Sequence, residues 1–594
     1  MLRTFTVVVG IGLTIISLLI PTQVSCRCRP FESCWPNEAE WVTLKNSIDG
    51  NLLPLKPIGH VCHNPALDPH ACEDLKLLSL DSGWRAAQPA SLQDWVWEGG
   101  KFQNESCHIF SGPESNCHQG RVPLYSALVR SASHIQKAVL FAKKHNLRLV
   151  IKNTGHDGAG RSSGPSSFQI HTNKLKNLEF HDNFLAQGAT ESSGGPAVTI
   201  GAGVMQWEVY EKASAKRLSL VGGECPTVGA VGGFLQGGGV SSFFSYARGL
   251  AIDNVLEYQV VTAEAEVVVA NAHQNRDLFW ALRGGGGGTF GIVTQATVRL
   301  FPDDPLTSTT ISVSSEETSN IEWTEAISRL LSTLQTMNKN RYPGQFLLQR
   351  PSNSSGVASL TVHFPNITDT SMAEKQTRAS FKCPDGSAGL VCSISSEWLA
   401  QGSFSLRKAA DIYPENYGIL SASLLVSNRM FGTPEWPAKL AETLVKIQMS
   451  SGDILFTSNL GGHINELEVD ETSLHPAWRS SAQLITFVRS VAASFAGKTS
   501  VMNELSNIQM PILYSMDEES RVSYRNLGLP NENNFQNLYW GSNYQKLLKI
   551  KRRWDKDGLF TTKLGVGSEY WDEEGLCRIH PNYFERALEA LWFF

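Results

Sequence analysis

The sequence predicts an α+β protein built from more than one packing unit, and three observations lead there. The chain has 594 residues, more than a single hydrophobic core usually organises. Segments with helical spacing alternate with short strand-like runs throughout its length. Two glycine clusters, "VGAVGGFLQGGGV" and "RGGGGGTFGIV", fall between those elements.

The first 25 residues carry Arg3, an apolar stretch from Phe5 to Ile20, then Pro21 and small or polar residues up to Ser25. That order reads as a secretory signal peptide, with a membrane anchor as the alternative. Residues 26–119 form a cysteine-rich segment containing Cys26, Cys28, Cys34, Cys62, Cys72, Cys107 and Cys117. Such crowding suits disulfides in an oxidising compartment, with connectivity left open. "CRCRP" has no second cysteine pair at zinc spacing, so no metal is expected. Cys383, Cys392 and Cys577 follow far downstream, and Cys225 stands alone. The total of 11 is odd, so if ten pair one thiol is left over, and Cys225 is the candidate. Sequons at Asn104, Asn353 and Asn366 fit a glycosylated product of the same pathway.

With 42% hydrophobic residues, 18% charged residues and a net charge of -5, the chain has neither a disordered composition nor a polybasic footprint. Nucleic acid is therefore excluded as an expected partner, and stable membrane association is not expected once the signal is cleaved.

From about Ser126, apolar residues spaced by three and four through Ile135, Val139 and Phe141 predict a helix. Ser131 and Ser133 can cap its start, and Lys143, Lys144 and His145 suit its last turn. Leu147 to Ile151 then reads as a strand, and "NTGHDGAGRSSGP" opens at its end. Further strands are expected at "AVTIGAGV", "NVLEYQVVTAEAEVVVA" and "GIVTQATVRLF", with helices at "MQWEVYEKASAKR" and "RDLFWALR". These elements define a domain over residues 120–302, a second α+β domain over 303–520 and a terminal segment over 521–594. The terminal segment includes a basic helix, whose run Lys549 to Arg553 reads as a solvated face.

The glycine clusters exclude two nucleotide sites. Neither carries the lysine followed by serine or threonine of a P-loop. The second runs helix, glycines, strand, the reverse of a dinucleotide fingerprint. What remains is close backbone approach to a large planar or phosphorylated ligand, with tight surface turns as the bland alternative.

The motifs "NTGHDGAGRSSGPSSF", "GGECPTVGAVGGFLQGGG", "GLAIDNVLEYQVVTA" and "LRGGGGGTFGIVTQATVRLF" resemble, in order, the FAD-binding (PCMH-type) domain of the vanillyl-alcohol oxidase and para-cresol methylhydroxylase superfamily. The ending "SYRNLG...LYWGSNYQKLLKIKRRWDKDGLFTTKLGVGSEYW" resembles the carboxy-terminal segment of its berberine bridge enzyme-like branch in fungal form. The resemblance implies FAD attached twice, through His156 and through Cys225. Without it, His156 reads as a loop imidazole bonded to backbone and Cys225 as an inert buried thiol.

By the same resemblance, Gly155, Asp157, Gly158 and Gly160 with Ser162 and Ser163 receive the pyrophosphate. Thr227, Gly229, Gly232, Gly233, Gly237 and Gly238, with Gly291, Ile292 and Val293, line the ring and adenine. Tyr539, Asn543 and Tyr544 border the flavin. Tyr524 of "SYRN" matches the base of oligosaccharide-oxidising members, with a packed tyrosine as the competing reading, and Tyr539 is the second catalytic candidate. An unperturbed phenol titrates near ~10, so a base there needs help from a cation or the flavin. Val240, Lys556 and the residues after "SYRN" depart from the usual pattern.

The function expected is a secreted, oxygen-dependent FAD-linked oxidase that tailors a small secondary metabolite such as an alkaloid, returning electrons to dioxygen. A carbohydrate or alcohol oxidase is the first alternative, and a flavin-bound protein without turnover the second.

Overall fold

The structure, a computed structural model, describes residues 25–100, 105–192, 194–242, 244–316, 319–350, 355–383, 389–402, 418–492, 494–517 and 521–579. The signal-like stretch 1–24 and the sequons at Asn104 and Asn353 lie outside the described residues, whereas Asn366 is exposed.

The predicted helix forms as Ala132–Lys144, and the Ser131 hydroxyl accepts a hydrogen bond from the His134 amide at 3.3 Å. Ile135, Ala138, Val139 and Ala142 make its buried stripe, as spacing by three and four requires. The helix connects strands Tyr125–Leu128 and Arg148–Lys152, which both pair in parallel with Ser167–His171. Leu52–Pro54, from the cysteine-rich segment, adds an antiparallel edge to this four-stranded sheet. Five antiparallel strands make a second sheet, in the order Leu178–His181, Ala197–Gly201, Ile292–Arg299, Val255–Val261 and Val267–Asn271.

Beyond Pro302 the chain builds a seven-stranded antiparallel sheet, in the order Leu390–Leu399, Leu306–Ser315, Gly356–Pro365, Gly344–Gln349, Ile454–Asn459, Ser481–Ser490 and Ile419–Ser427. Helices Asn320–Lys339 and Trp436–Leu444 share its apolar core, with Trp323, Leu330, Leu334, Trp436 and Leu440 buried among Phe346, Leu360 and Phe487. Truncating a core tryptophan of this kind costs about 3–5 kcal/mol. The terminal segment then leaves this sheet, and helix Tyr544–Trp554 packs Leu547 and Leu548 into an apolar core that also holds Val260, Phe290, Leu425 and Leu484.

Five disulfides join Cys26 to Cys577, Cys28 to Cys34, Cys62 to Cys72, Cys107 to Cys117 and Cys383 to Cys392. Cys225 is the cysteine outside them, as the odd count suggested. The Cys26–Cys577 bridge ties positions 551 residues apart and fastens the terminal segment back onto the start of the fold.

One expectation is corrected here. The basic run is not uniformly solvated: Lys551 is buried, and its ammonium bonds the Asp555 carboxylate at 2.5 Å and the carbonyls of Thr289 and Phe560 at 2.6 and 2.9 Å. A buried ammonium needs this full set of acceptors. Lys549, Arg552 and Arg553 are exposed. No helix among the described residues is long and apolar enough to cross a membrane.

Candidate active site

A cavity of about 470 Å³ lies where the two glycine clusters, the loop after strand Arg148–Lys152, the seven-stranded sheet and the terminal segment meet. That volume falls in the range of small-molecule and cofactor sites.

The loop after Arg148–Lys152 is held in shape by Asp157. Its carboxylate accepts from the amides of Ala159 and Arg161 at 3.1 and 2.7 Å and pairs with the Arg161 guanidinium at 3.1 Å. Asp157 lines the cavity, yet these bonds make it an organiser of the loop. His156 projects from the same loop, with Nε2 2.7 Å from the Thr227 hydroxyl and 3.9 Å from Cys225 Sγ. Thr227 Oγ1 is in turn 2.6 Å from the Ser82 hydroxyl, and Ser82 donates to Gln93 Oε1 at 2.8 Å. The cysteine-rich segment thus holds the histidine's partner in place. Burial, with the nearby Lys152 ammonium adding to it, pushes the imidazole down to about 3. His156 is therefore neutral, with a nitrogen lone pair available, at any ordinary pH.

The second loop carries Cys225, half-buried and one residue from Glu224. The Gly229 amide donates to Thr154 Oγ1 at 3.1 Å, joining the two loops. A methyl group at Gly229 would fall 2.3 Å from the Asn153 side-chain oxygen, so the approach requires glycine. Tyr524 reaches the cavity from the terminal segment. Its hydroxyl accepts from the Gly239 amide at 3.1 Å and from Asn526 Nδ2 at 2.8 Å. Burial raises its pKa, and those two bonds only partly oppose the rise. The phenol therefore keeps its proton at neutral pH and can donate it.

Of the residues singled out from sequence, Gly155, His156, Asp157, Gly158, Ser162, Cys225, Gly229, Gly232, Gly233, Gly291, Ile292, Val293 and Tyr524 line this cavity, while Thr227 stands behind His156. Others do not line it. Ser163 is buried with its hydroxyl donated to the Trp97 carbonyl at 3.3 Å. Gly160 is a packing glycine: its φ is +70°, and a methyl group would lie 2.7 Å from the Trp97 indole. Gly237 and Gly238 back onto Asn526 and Tyr524. Tyr539 donates to the Leu529 carbonyl at 3.4 Å, Asn543 to that of Leu474 at 2.6 Å and Tyr544 to the Glu569 carboxylate at 2.5 Å. These three bonds anchor the terminal segment, and none of the three side chains lines the cavity.

Sequence reading missed Gln93, Asp94, Arg161, Glu224, Arg525 and Phe456, all of which line the cavity. Arg161, Glu224 and Arg525 lie inside the motifs already quoted, next to the positions that were chosen. Phe456 sits on a strand whose alternation gives no sign of which face meets another domain.

The residues present fit a flavin dinucleotide. Asn153 Oδ1, Gln236 Oε1 and Arg525 Nε are buried lining atoms without a hydrogen-bond partner among the described residues, so the site has acceptors and a donor still to satisfy. Phe234, Val240, Phe456 and Leu484 offer apolar wall.

Comparison with known proteins agrees with this geometry. Residues 123–271 match the FAD binding domain family, and residues 523–567 match the berberine and berberine-like family. The chain is 52% identical over 575 residues to the FAD-linked oxidoreductase easE of Epichloe festucae var. lolii, covering 96% of this chain and 95% of that protein. It is 45% identical over 578 residues to the FAD-linked oxidoreductase penH of Penicillium thymicola, covering 97% and 99%. The crystal structure of the VAO-type flavoprotein MtVAO615 from Myceliophthora thermophila C1 superposes with a TM-score of 0.81 at 29% identity, covering 93% of this chain and all of that one. With the fold, the cavity and the motifs in agreement, the chain belongs to the berberine bridge enzyme-like family of FAD-linked oxidoreductases.

Proposed function

We propose that this protein is an oxygen-dependent oxidase that modifies a small secondary metabolite, such as an alkaloid, with a flavin attached through His156 and Cys225. The observation that carries the reading is the 3.9 Å approach of the His156 nitrogen to the Cys225 sulfur at one edge of the cavity. When bound, the flavin supplies the hydride acceptor at its N5 and the route for electrons to dioxygen.

The chain's own residues supply the remainder. The neutral His156 offers a nucleophilic nitrogen, and Thr227, braced by Ser82, fixes its ring orientation. Asn153, Gln236 and Arg525 hold the dinucleotide through the groups left open for it. Phe234, Val240, Phe456 and Leu484 exclude water around an apolar substrate, which supports a metabolite with a hydrocarbon or aromatic body over a polyhydroxylated sugar. Tyr524 orients the substrate by donating its retained proton. The five disulfides suit folding in an oxidising compartment, and the amino-terminal segment supplies an export signal.

The test is to precipitate the purified protein with acid, and to screen indole alkaloids, aromatic alcohols and sugars for peroxide release in air. A yellow pellet with peroxide from the apolar substrates is expected. A colourless pellet removes the attachment, and peroxide from sugars alone removes the substrate class.

A further inference from the structure

The cavity contains a buried acid that the flavin reading leaves without a task. Asp94 lines it and is 3% exposed. The residue opens the short turn Trp95–Trp97 and is held on both sides. Gln93 before it donates its amide to the Gly155 carbonyl at 3.2 Å, and Trp97 after it donates Nε1 to the Gly158 carbonyl at 3.0 Å. Its own Oδ1 accepts at 2.9 Å from the amide of Ile419, the first residue of strand Ile419–Ser427. Oδ2 is buried and has no hydrogen-bond partner among the described residues.

Buried Asp453 and Asp555 pair with Arg489 at 2.6 Å and with Lys551 at 2.5 Å, whereas Asp94 has no ion pair among the described residues. Two charged groups face it, Lys498 and Asp157. The Lys498 ammonium donates to the Val96 carbonyl at 3.1 Å and lies 4.7 Å from the Trp97 ring centroid. Burial holds the Asp94 carboxyl well above the usual carboxylate range, Asp157 adds to the rise, and the Ile419 and Val96 amides with Lys498 only partly oppose it. A carboxyl that keeps its proton is a donor as well as an acceptor. With Oδ1 taken by the Ile419 amide, the proton belongs on Oδ2, and a buried donor without an acceptor is costly until one arrives. Ile419 and Ser421, on one face of their strand, line the cavity beside it. The dinucleotide was assigned above to Asn153, Gln236 and Arg525, which leaves the wall of the seven-stranded sheet to the substrate.

From this geometry, and resting on the oxidoreductase reading above, we infer that Asp94 is a substrate-binding residue that works as a neutral acid, its Oδ2–H donating to a carbonyl-type acceptor of the substrate at the wall formed by Ile419 and Ser421. The acceptor completes the one bond that the protein leaves open. A side chain that still donates there keeps the preference for such substrates, and an apolar one of similar size loses it.

The experiment is calorimetric titration of the full-length holoenzyme with 3-acetylindole and with 3-isopropylindole, which share a shape and differ in a carbonyl oxygen. 3-Acetylindole should bind the native protein at least about ten-fold more tightly. Asp94→Asn should keep that preference, because its amide nitrogen donates where the acid did, and Asp94→Leu should abolish it. The infrared difference between native protein and Asp94→Asn at pH 7 should show the carbonyl band of a protonated carboxylic acid, displaced when 3-acetylindole binds. Equal binding of the two ligands, no binding of 3-acetylindole, a preference that survives Asp94→Leu or vanishes in Asp94→Asn, or no protonated-acid band overturns the inference. If Asp94→Leu does not accumulate, the native comparison and the infrared band decide. A visible flavin spectrum displaced in unliganded Asp94→Leu would place the bond on the flavin and overturn the assignment to substrate. Flavin content of the same samples reports separately on the oxidoreductase reading: a yellow protein without the preference counts against Asp94 alone.

Discussion

His156 Nε2 and Cys225 Sγ lie 3.9 Å apart although 69 residues separate them in the chain. The Thr227 hydroxyl contacts both, at 2.7 and 4.0 Å. Two nucleophiles this close can bond to neighbouring positions of one aromatic ring. The arrangement depends on both glycine loops and on the cysteine-rich segment, which reaches Thr227 through Ser82.

Each attachment is therefore expected to survive loss of the other. Cys225→Ala and His156→Ala should each give a yellow acid pellet, with flavin mass on the peptide containing the remaining anchor. The double variant should give a colourless pellet. Peptide mass spectrometry with the pellet's absorbance checks this, and a double variant that stays yellow places the bond elsewhere.

Tyr524→Phe removes the acceptor used by the buried Gly239 amide and by Asn526. An unmet buried donor costs about 1–3 kcal/mol, so a lowered melting temperature is expected. Loss of the hydrogen bond by which the hydroxyl orients the substrate for hydride transfer should lower turnover by about 10²-fold while flavin content is unchanged. Stopped-flow measurement of flavin reduction separates the two effects. An unchanged reduction rate would assign Tyr524 to packing only.

Much of the first domain was legible because helix Ala132–Lys144 and the strands around it follow simple periods, and because His156 and Cys225 sit in glycine-rich motifs. Other residues singled out from sequence lie away from the cavity lining for physical reasons. Tyr539, Asn543 and Tyr544 are near Tyr524 in sequence, but helices Phe535–Trp540 and Tyr544–Trp554 direct their polar groups to Leu529, Leu474 and Glu569. Cysteine spacing signalled bridges without showing that Gln93 and Asp94 dock into the cavity, because docking depends on contacts remote in sequence.

Gly160→Ala should destabilise the fold without altering flavin chemistry directly. The substitution meets a positive φ and the Trp97 indole at 2.7 Å, and Trp97 is pinned by its own bond to the Gly158 carbonyl at 3.0 Å. Strain and overpacking of this kind cost about 1–3 kcal/mol each. Denaturant midpoints measure the loss, and a variant as stable as the native protein would show that Trp97 can move aside.

The long bridge gives a second stability prediction. Cys26→Ser opens a loop closed over 551 residues and should cost about 2–5 kcal/mol. Digestion of the native protein without reductant should yield one peptide pair joining Cys26 to Cys577. Separate peptides would contradict the fastening of the terminal segment to the start of the fold.

Acid should destabilise the protein before its carboxylates titrate. Burial holds His108, His363 and His475 down to about 4, with the Arg85 charge adding to the effect at His108. The Ala477 amide donates to His475 Nδ1 at 3.1 Å, as a neutral ring allows. In the unfolded chain these rings titrate near 6.5, so between about 4 and 6.5 the unfolded state binds more protons than the folded one. Stability is then complete above pH 6.5 and is lost as the pH falls toward 4. The fully enclosed His363 accounts for about 3 kcal/mol of that loss. Urea midpoints from pH 4 to 8 should rise and then level off near 6.5, and His363→Gln, which can still meet the Ser308 hydroxyl now 2.9 Å from the ring, should reduce the slope by about one proton. A midpoint that does not change across this window would mean that these imidazoles are charged in the folded protein.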